Sequence, residues 1–174
     1  EIGGSGASVL AEAVQREEFG YVCSGIASAI SVSSHLGTFP VYEFGNSEQQ
    51  QRWLVPALRG EKISAFGLTE PNAGSDVRGI QTKAVRADGG WVLSGTKTFI
   101  TNATVADFVV VVAYTDPDAG IDGMAMFVVE TDNENVQVNR LKKMGNLSSE
   151  IAEVVLTDAF VPDECLLGEP TGAF

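Results

Sequence analysis

The feature that most constrains this chain is a change of hydrophobic period at Gly60. Before it, apolar residues recur at helical spacing. After it, they alternate or run continuously, and β-branched residues dominate. The chain is therefore expected to fold as a helical portion over residues 1–63 followed by a β domain over 64–174.

In the helical portion, Val9, Leu10, Ala13, Val14 and Phe19 fall roughly on one helical face, with Ser8 placed to cap it. Residues 23–36 carry small side chains and no Asp, Glu, Lys or Arg, which predicts a helix surrounded by other protein. Phe39–Phe44 forms a further turn, with Pro40 tolerated at its start. Ser47 followed by Gln50 reads as a capping box opening another helix. Trp53, Leu54 and Leu58 form that helix's apolar side, and Gly60 ends it.

Beyond Gly60, strands are expected at Lys62–Leu68, Lys83–Ala87, Trp91–Thr101, Phe108–Tyr114, Met124–Glu130, Val136–Leu141 and Val154–Val161. Asp88-Gly89-Gly90 marks a hairpin turn. The continuous apolar run Phe108–Tyr114 reads as a strand buried on both faces. Many strands without intervening helices predict an antiparallel barrel or sandwich.

Charge narrows the function. Eleven Lys and Arg stand against 23 Asp and Glu, a net charge of −12 that disfavours nucleic acid and anionic membranes as partners. No apolar run reaches the roughly 20 residues of a membrane span. Cys23 and Cys165 have neither metal-ligand nor redox-motif spacing, so no metal site is expected and both read as reduced, buried thiols. The sole histidine, His35, reads as a structural or surface imidazole. Any phosphorylated ligand must then be held by local donors.

Two segments offer such donors. In Phe66-Gly67-Leu68-Thr69-Glu70-Pro71-Asn72-Ala73-Gly74-Ser75-Asp76, Pro71 stops a strand and the Gly-Ser turn exposes amides and hydroxyls suited to an anion; an ordinary turn has the same composition. In Gly95-Thr96-Lys97-Thr98-Phe99-Ile100-Thr101-Asn102, alternation places Phe99 and Thr101 on one face, an aromatic wall beside a hydroxyl; a core Phe fits that pattern too.

Taken with Glu17-Glu18, Glu43-Phe44-Gly45, Met144-Gly145, Val161-Pro162 and Leu166-Leu167-Gly168, these segments resemble the acyl-CoA dehydrogenase flavoprotein family along nearly the whole chain. The resemblance implies a partial N-terminal helical domain and a central β-barrel domain, with a C-terminal four-helix bundle, the home of the catalytic carboxylate, absent from these residues. It implies FAD on Phe66, Leu68, Thr69, Gly74, Ser75, Phe99, Ile100 and Thr101, and an acyl-CoA substrate along Ser75 and Val32. The family commonly carries Trp where Phe99 stands. The implied reaction is α,β-dehydrogenation, with electrons passed to an electron-transfer flavoprotein. A homo-oligomeric full-length protein, in the cytoplasm or the mitochondrial matrix, belongs to the same implication. Glu70 and Asp76 match loop residues of the family, so no residue here is assigned as the base. Locally, Ser31–Ser34 and Tyr42–Gly45 look like glutaryl-CoA dehydrogenases, but Ala27 stands where those enzymes carry an Arg for the distal carboxylate. A neutral acyl group is expected. An acyl-CoA oxidase of the same fold, or a non-catalytic module, remains an open alternative at this level.

Overall fold

The helical pattern becomes a series of short helices in the computed structural model, which describes residues 6–172. They are α1 (Val9–Val22), α2 (Ser24–Ser31), α3 (Phe39–Phe44), α4 (Ser47–Gln49) and α5 (Val55–Leu58). A π-helical turn, Val32–Leu36, prolongs α2, and another, Gln50–Leu54, joins α4 to α5. Ser8 caps α1, its side chain accepting from the Ala11 amide.

At α4 the cap is Asn46 rather than Ser47. Asn46 is extended (ψ 174°), which leaves it outside the helix and makes Ser47 the first helical residue. Its side chain accepts from the Gln49 amide at 2.9 Å while the Gln49 side chain accepts from the Asn46 amide at 2.7 Å. The Gln49 amide group also donates to the carbonyls of Glu164 and Leu166, pinning the helix to the far end of the chain. Replacing Asn46 with Ala is expected to lower stability by about 1 kcal/mol, and with Gly by only a few tenths, read from urea denaturation midpoints.

Trp53 and Leu54 are buried as expected, but Leu58 is 41% exposed. The π-helical turn through Leu54 takes more residues per turn, which rotates the following segment and carries Leu58 outward. The uncharged helix is also less enclosed than its composition implied. Within α2 only Gly25 is buried, and α1 buries none of its residues. The β domain covers one side of α2 and its π-helical extension, where the Ala29 carbonyl accepts from Asn102 and Ser33 bonds Ser64. Helix α1 packs along another side, and the rest of α2 stays partly or fully exposed among the described residues. Cys165 is buried, whereas Cys23 is only partly so.

The strands are β1 (Ser64–Gly67), β2 (Lys83–Ala87), β3 (Gly90–Thr101), β4 (Phe108–Tyr114), β5 (Met124–Glu130), β6 (Val136–Arg140), β7 (Ile151–Pro162) and β8 (Leu166–Leu167). Their order is β6-β7-β3-β2-β4-β5-β8, with β1 on β4. The sheet is mostly antiparallel. Two contacts are not: β1 runs parallel to β4, and β2 meets β4 in parallel at Lys83 and Tyr114. The β2–β3 hairpin and the return into β4 each reverse the chain, leaving β4 aligned with β1 and β2. The hairpin turn is the pair Asp88-Gly89, since pairing extends to Ala87 and Gly90, and Gly89 takes the φ of +72° such a turn requires.

Every residue of β4 is buried, in keeping with its unbroken apolar run. Trp91 of β3 meets Phe127 of β5 edge to face at 5.6 Å. Val41, Trp53 and Leu54 from the helices belong to the same continuous core. That shared core sets the helices against the β domain and fixes what stands at the ends of β1 and β3.

Candidate functional site

Strand β1 runs out at Gly67, and Leu68–Thr69 leads into a turn closed by paired backbone bonds between Glu70 and Ala73 (2.9 and 3.2 Å). Pro71 can donate no amide to a continuing ladder, so the strand cannot extend. Beyond the turn Gly74, Ser75 and Asp76 are exposed. A Cβ at Gly74 would meet nothing within 4 Å, so the approach to this backbone is open. The Asp76 carboxylate accepts from the Arg78 amide at 3.2 Å and caps the turn that follows.

The second segment is the end of β3. Its pairing with β7 slips between Lys97 and Ile100, and Phe99 sits in the slip at φ +59°. A non-glycine residue held there is strained, and such strain collects at functional sites. The burial still alternates: Thr98 and Ile100 are buried, Phe99 is 64% exposed and Thr101 half-buried. Phe99 and Thr101 therefore share one side, and the extra residue in the slip turns that side outward, whereas unbroken alternation from Leu93 and Lys97 would have pointed both inward. Ile100 places its side chain in the core, so only its main chain can serve a ligand.

The fold brings these segments together. The Thr98 amide donates to the Thr69 carbonyl at 2.8 Å, setting the exit of β1 beside the slip in β3. Asn102, at φ +69°, closes the same edge. Its side chain donates to the Ala29 carbonyl at 2.8 Å and its amide to the Glu150 carbonyl at 3.0 Å. Val32 is half-buried in the π-helical turn, next to Ser33, whose contacts with Ser64 bring it to the start of β1.

Beneath the surface lies a pair that sequence reasoning missed. The Lys97 ammonium contacts the Glu70 carboxylate at 2.7 Å, the two side chains being 0% and 5% exposed. Lys97 also donates to the Leu68 carbonyl at 3.2 Å. Glu70 further accepts from the amides of Gln81 and Thr82 and from the Thr82 hydroxyl. Burial pushes the Glu70 carboxyl up, but the bonds from Lys97, Thr82 and Gln81 outweigh it and hold the group below the ordinary carboxylate range. Position 97 lies four residues after buried Leu93, so strict alternation would have pointed it inward. This pair removes Glu70 from any role as a base, and Lys97 from any role as a phosphate ligand.

What remains at the surface is an aromatic wall, hydroxyls at Thr69 and Thr101, and the open Gly74–Ser75 backbone. That donor set suits a flat heteroaromatic ligand carrying a phosphate tail, held by neutral donors. Among the described residues no group of three or more His, Cys, Asp or Glu side chains could hold a metal ion, and no helix is long and apolar enough to cross a membrane.

Known proteins share this fold. Residues 1–61 match the model of the acyl-CoA dehydrogenase N-terminal domain, and residues 65–159 that of its middle domain. A probable acyl-CoA dehydrogenase of Bacillus subtilis is 40% identical over the whole chain, which covers 46% of that protein. The structure of butyryl-CoA dehydrogenase from Megasphaera elsdenii superposes with a TM-score of 0.92 at 38% identity, over 98% of this chain and 46% of that one. A glutaryl-CoA dehydrogenase from Mycobacterium smegmatis in complex with FADH2 gives 0.91 at 34% identity, over 99% and 44%. The chain spans about half the length of the curated relatives it matches.

Proposed function

The chain belongs to the acyl-CoA dehydrogenase family, and we propose that the protein containing it binds FAD on Phe66, Leu68, Thr69, Gly74, Ser75, Phe99, Ile100 and Thr101 and desaturates an acyl-CoA thioester between its α and β carbons. Bound FAD supplies the oxidant for that reaction. Phe99 provides a wall for the ring, and Thr69 and Thr101 provide hydroxyl donors at its edge. Gly74 and Ser75 receive the phosphate-bearing part through an approach with no side chain in the way. Ser75 and Val32 border the path of the acyl-CoA. An electron-transfer flavoprotein takes the electrons, the whole protein is a homo-oligomer, and it works in the cytoplasm or the mitochondrial matrix. The catalytic carboxylate comes from outside these residues.

The acyl group is neutral in this reading. Ala27 offers no charge to a distal carboxylate, and Arg16, which lines the same crevice between α1 and α2, is already paired with Glu12. A dicarboxylyl chain would bury an uncompensated charge there.

The observation that carries the proposal is Phe99, an aromatic ring turned out to solvent from a strained backbone. Phe99→Ala in the full-length protein is expected to weaken FAD binding about tenfold, equivalent to about 1.4 kcal/mol. Stability of the apoprotein should change by no more than about 0.5 kcal/mol, because the side chain is exposed. Titration followed by flavin fluorescence reads the first quantity, and urea denaturation the second. FAD affinity equal to that of the parent would remove Phe99 from the site.

A further inference from the structure

We infer that the buried Lys97–Glu70 pair is a positioning element. It sets the separation of the two ligand-facing segments and acts on cofactor binding through the backbone, without touching the ligand. The inference rests on the flavin-site reading above. With side chains 0% and 5% exposed, neither residue can reach a molecule lying on the outer face. Their bonds run to two places that matter for the site. Lys97 holds the Leu68 carbonyl and the Glu70 carboxylate, which grips the β1 exit from within. Glu70 holds Gln81 and Thr82, at the entry to β2. Thr82 can lie this close to β3 because residue 95 is glycine, where a Cβ would stand 2.4 Å from the Thr82 hydroxyl oxygen.

The slip in β3 begins immediately after Lys97, so the strained Phe99 and the Thr98–Thr69 bond are anchored by the same residue. Packing alone does not call for charges here, since a well-fitted apolar pair of similar volume is commonly as stable as a buried ion pair. What the charges add is directionality: an ammonium aimed at two oxygens and a carboxylate accepting from four donors admit one arrangement of the strands, whereas methylenes admit several.

The test compares the full-length parent with Lys97→Met/Glu70→Leu, which replaces the pair by apolar side chains, and with Glu70→Gln, which keeps the acceptor oxygen but not the charge. Thermal unfolding of the apoproteins and FAD affinity by fluorescence quenching are read together. The double variant is expected to fold but to melt several degrees below the parent, because Glu70→Leu removes the unpaired charge yet leaves the buried Thr82 amide and hydroxyl without an acceptor. Its FAD affinity is expected to fall at least about tenfold, with Glu70→Gln falling in the same direction by about threefold. A folded double variant binding FAD within about twofold of the parent overturns the inference. Should the double variant not fold, Glu70→Gln decides, and parental affinity in it is the overturning result. A parent protein without FAD affinity removes the flavin reading itself, and the inference falls with it.

Discussion

Lys97→Met alone is expected to lower folding stability by about 3–5 kcal/mol, measured by urea denaturation at neutral pH. The methionine fills much of the lysine's volume, so cavity formation is a minor part of the loss. The major part is Glu70, left as a carboxylate among buried groups with only Thr82 and Gln81 to compensate it. Part of the effect should therefore be recovered by adding Glu70→Leu, which removes the uncompensated charge while leaving the Thr82 and Gln81 donors without an acceptor, so the two substitutions are non-additive.

The same pair carries a pH dependence of defined sign. Because the carboxyl of folded Glu70 is held below its ordinary range, the unfolded chain binds more protons than the native one as pH falls from about 4–5. The stability Glu70 provides is fully present above the ordinary carboxylate value and is lost as pH drops through its lowered one. In Lys97→Met/Glu70→Leu that contribution should be missing from the acid unfolding profile.

The second large effect is expected at Trp53. Trp53→Ala should lower stability by about 3–5 kcal/mol, since the indole is 1% exposed and belongs to the core shared by helices and strands. Arg52 lies over its ring at 4.7 Å, and the ring nitrogen donates to Glu130 at the end of β5 at 3.2 Å. Trp53→Phe keeps an aromatic filler and loses the hydrogen bond, so about 1–2 kcal/mol is expected from it. Near-UV circular dichroism of Trp53→Ala should fall more than the far-UV signal, because the helices lose their docking before the sheet loses its ladder. Denaturation curves of Trp53→Ala matching the parent would mean that the helices contribute nothing to the cooperative unit.

How far the sequence could be read depended on the range of the interaction concerned. Strands β2 to β5 were legible because alternation, or an unbroken apolar run, reports directly on whether one face or both are covered. The β2–β3 turn was legible because Asp88-Gly89 supplies a positive φ where a two-residue turn needs one. The errors fell where a local pattern competes with geometry only the assembled chain provides. Both Asn46 and Ser47 are good caps, and the choice went to Asn46, whose extended backbone leaves Ser47 inside the first turn. Leu58 has the spacing of a buried residue, but a π-helical turn shifted its phase. That Phe99 and Thr101 share a face was read from alternation, but the pattern fitted a core Phe equally; the left-handed backbone that turns Phe99 outward was not legible, because slippage against β7 is a property of the pair of strands.

By itself the sequence indicated that helices precede a β domain and that Phe108–Tyr114 is buried on both faces, and it singled out Phe66–Ser75 and Phe99–Thr101 as segments offering donors and an aromatic wall to a ligand. These follow from patterns held within a few consecutive residues, whose backbone preferences and burial are set locally. Only the tertiary structure decided that Thr69 lies against Thr98, that Asn102 ties the end of β3 to α2, and that Glu70 and Lys97, 27 positions apart, form a buried pair. Those contacts depend on strand order and register. A one-residue slip would turn each side chain to the opposite face, and no local pattern encodes which strand lies beside which.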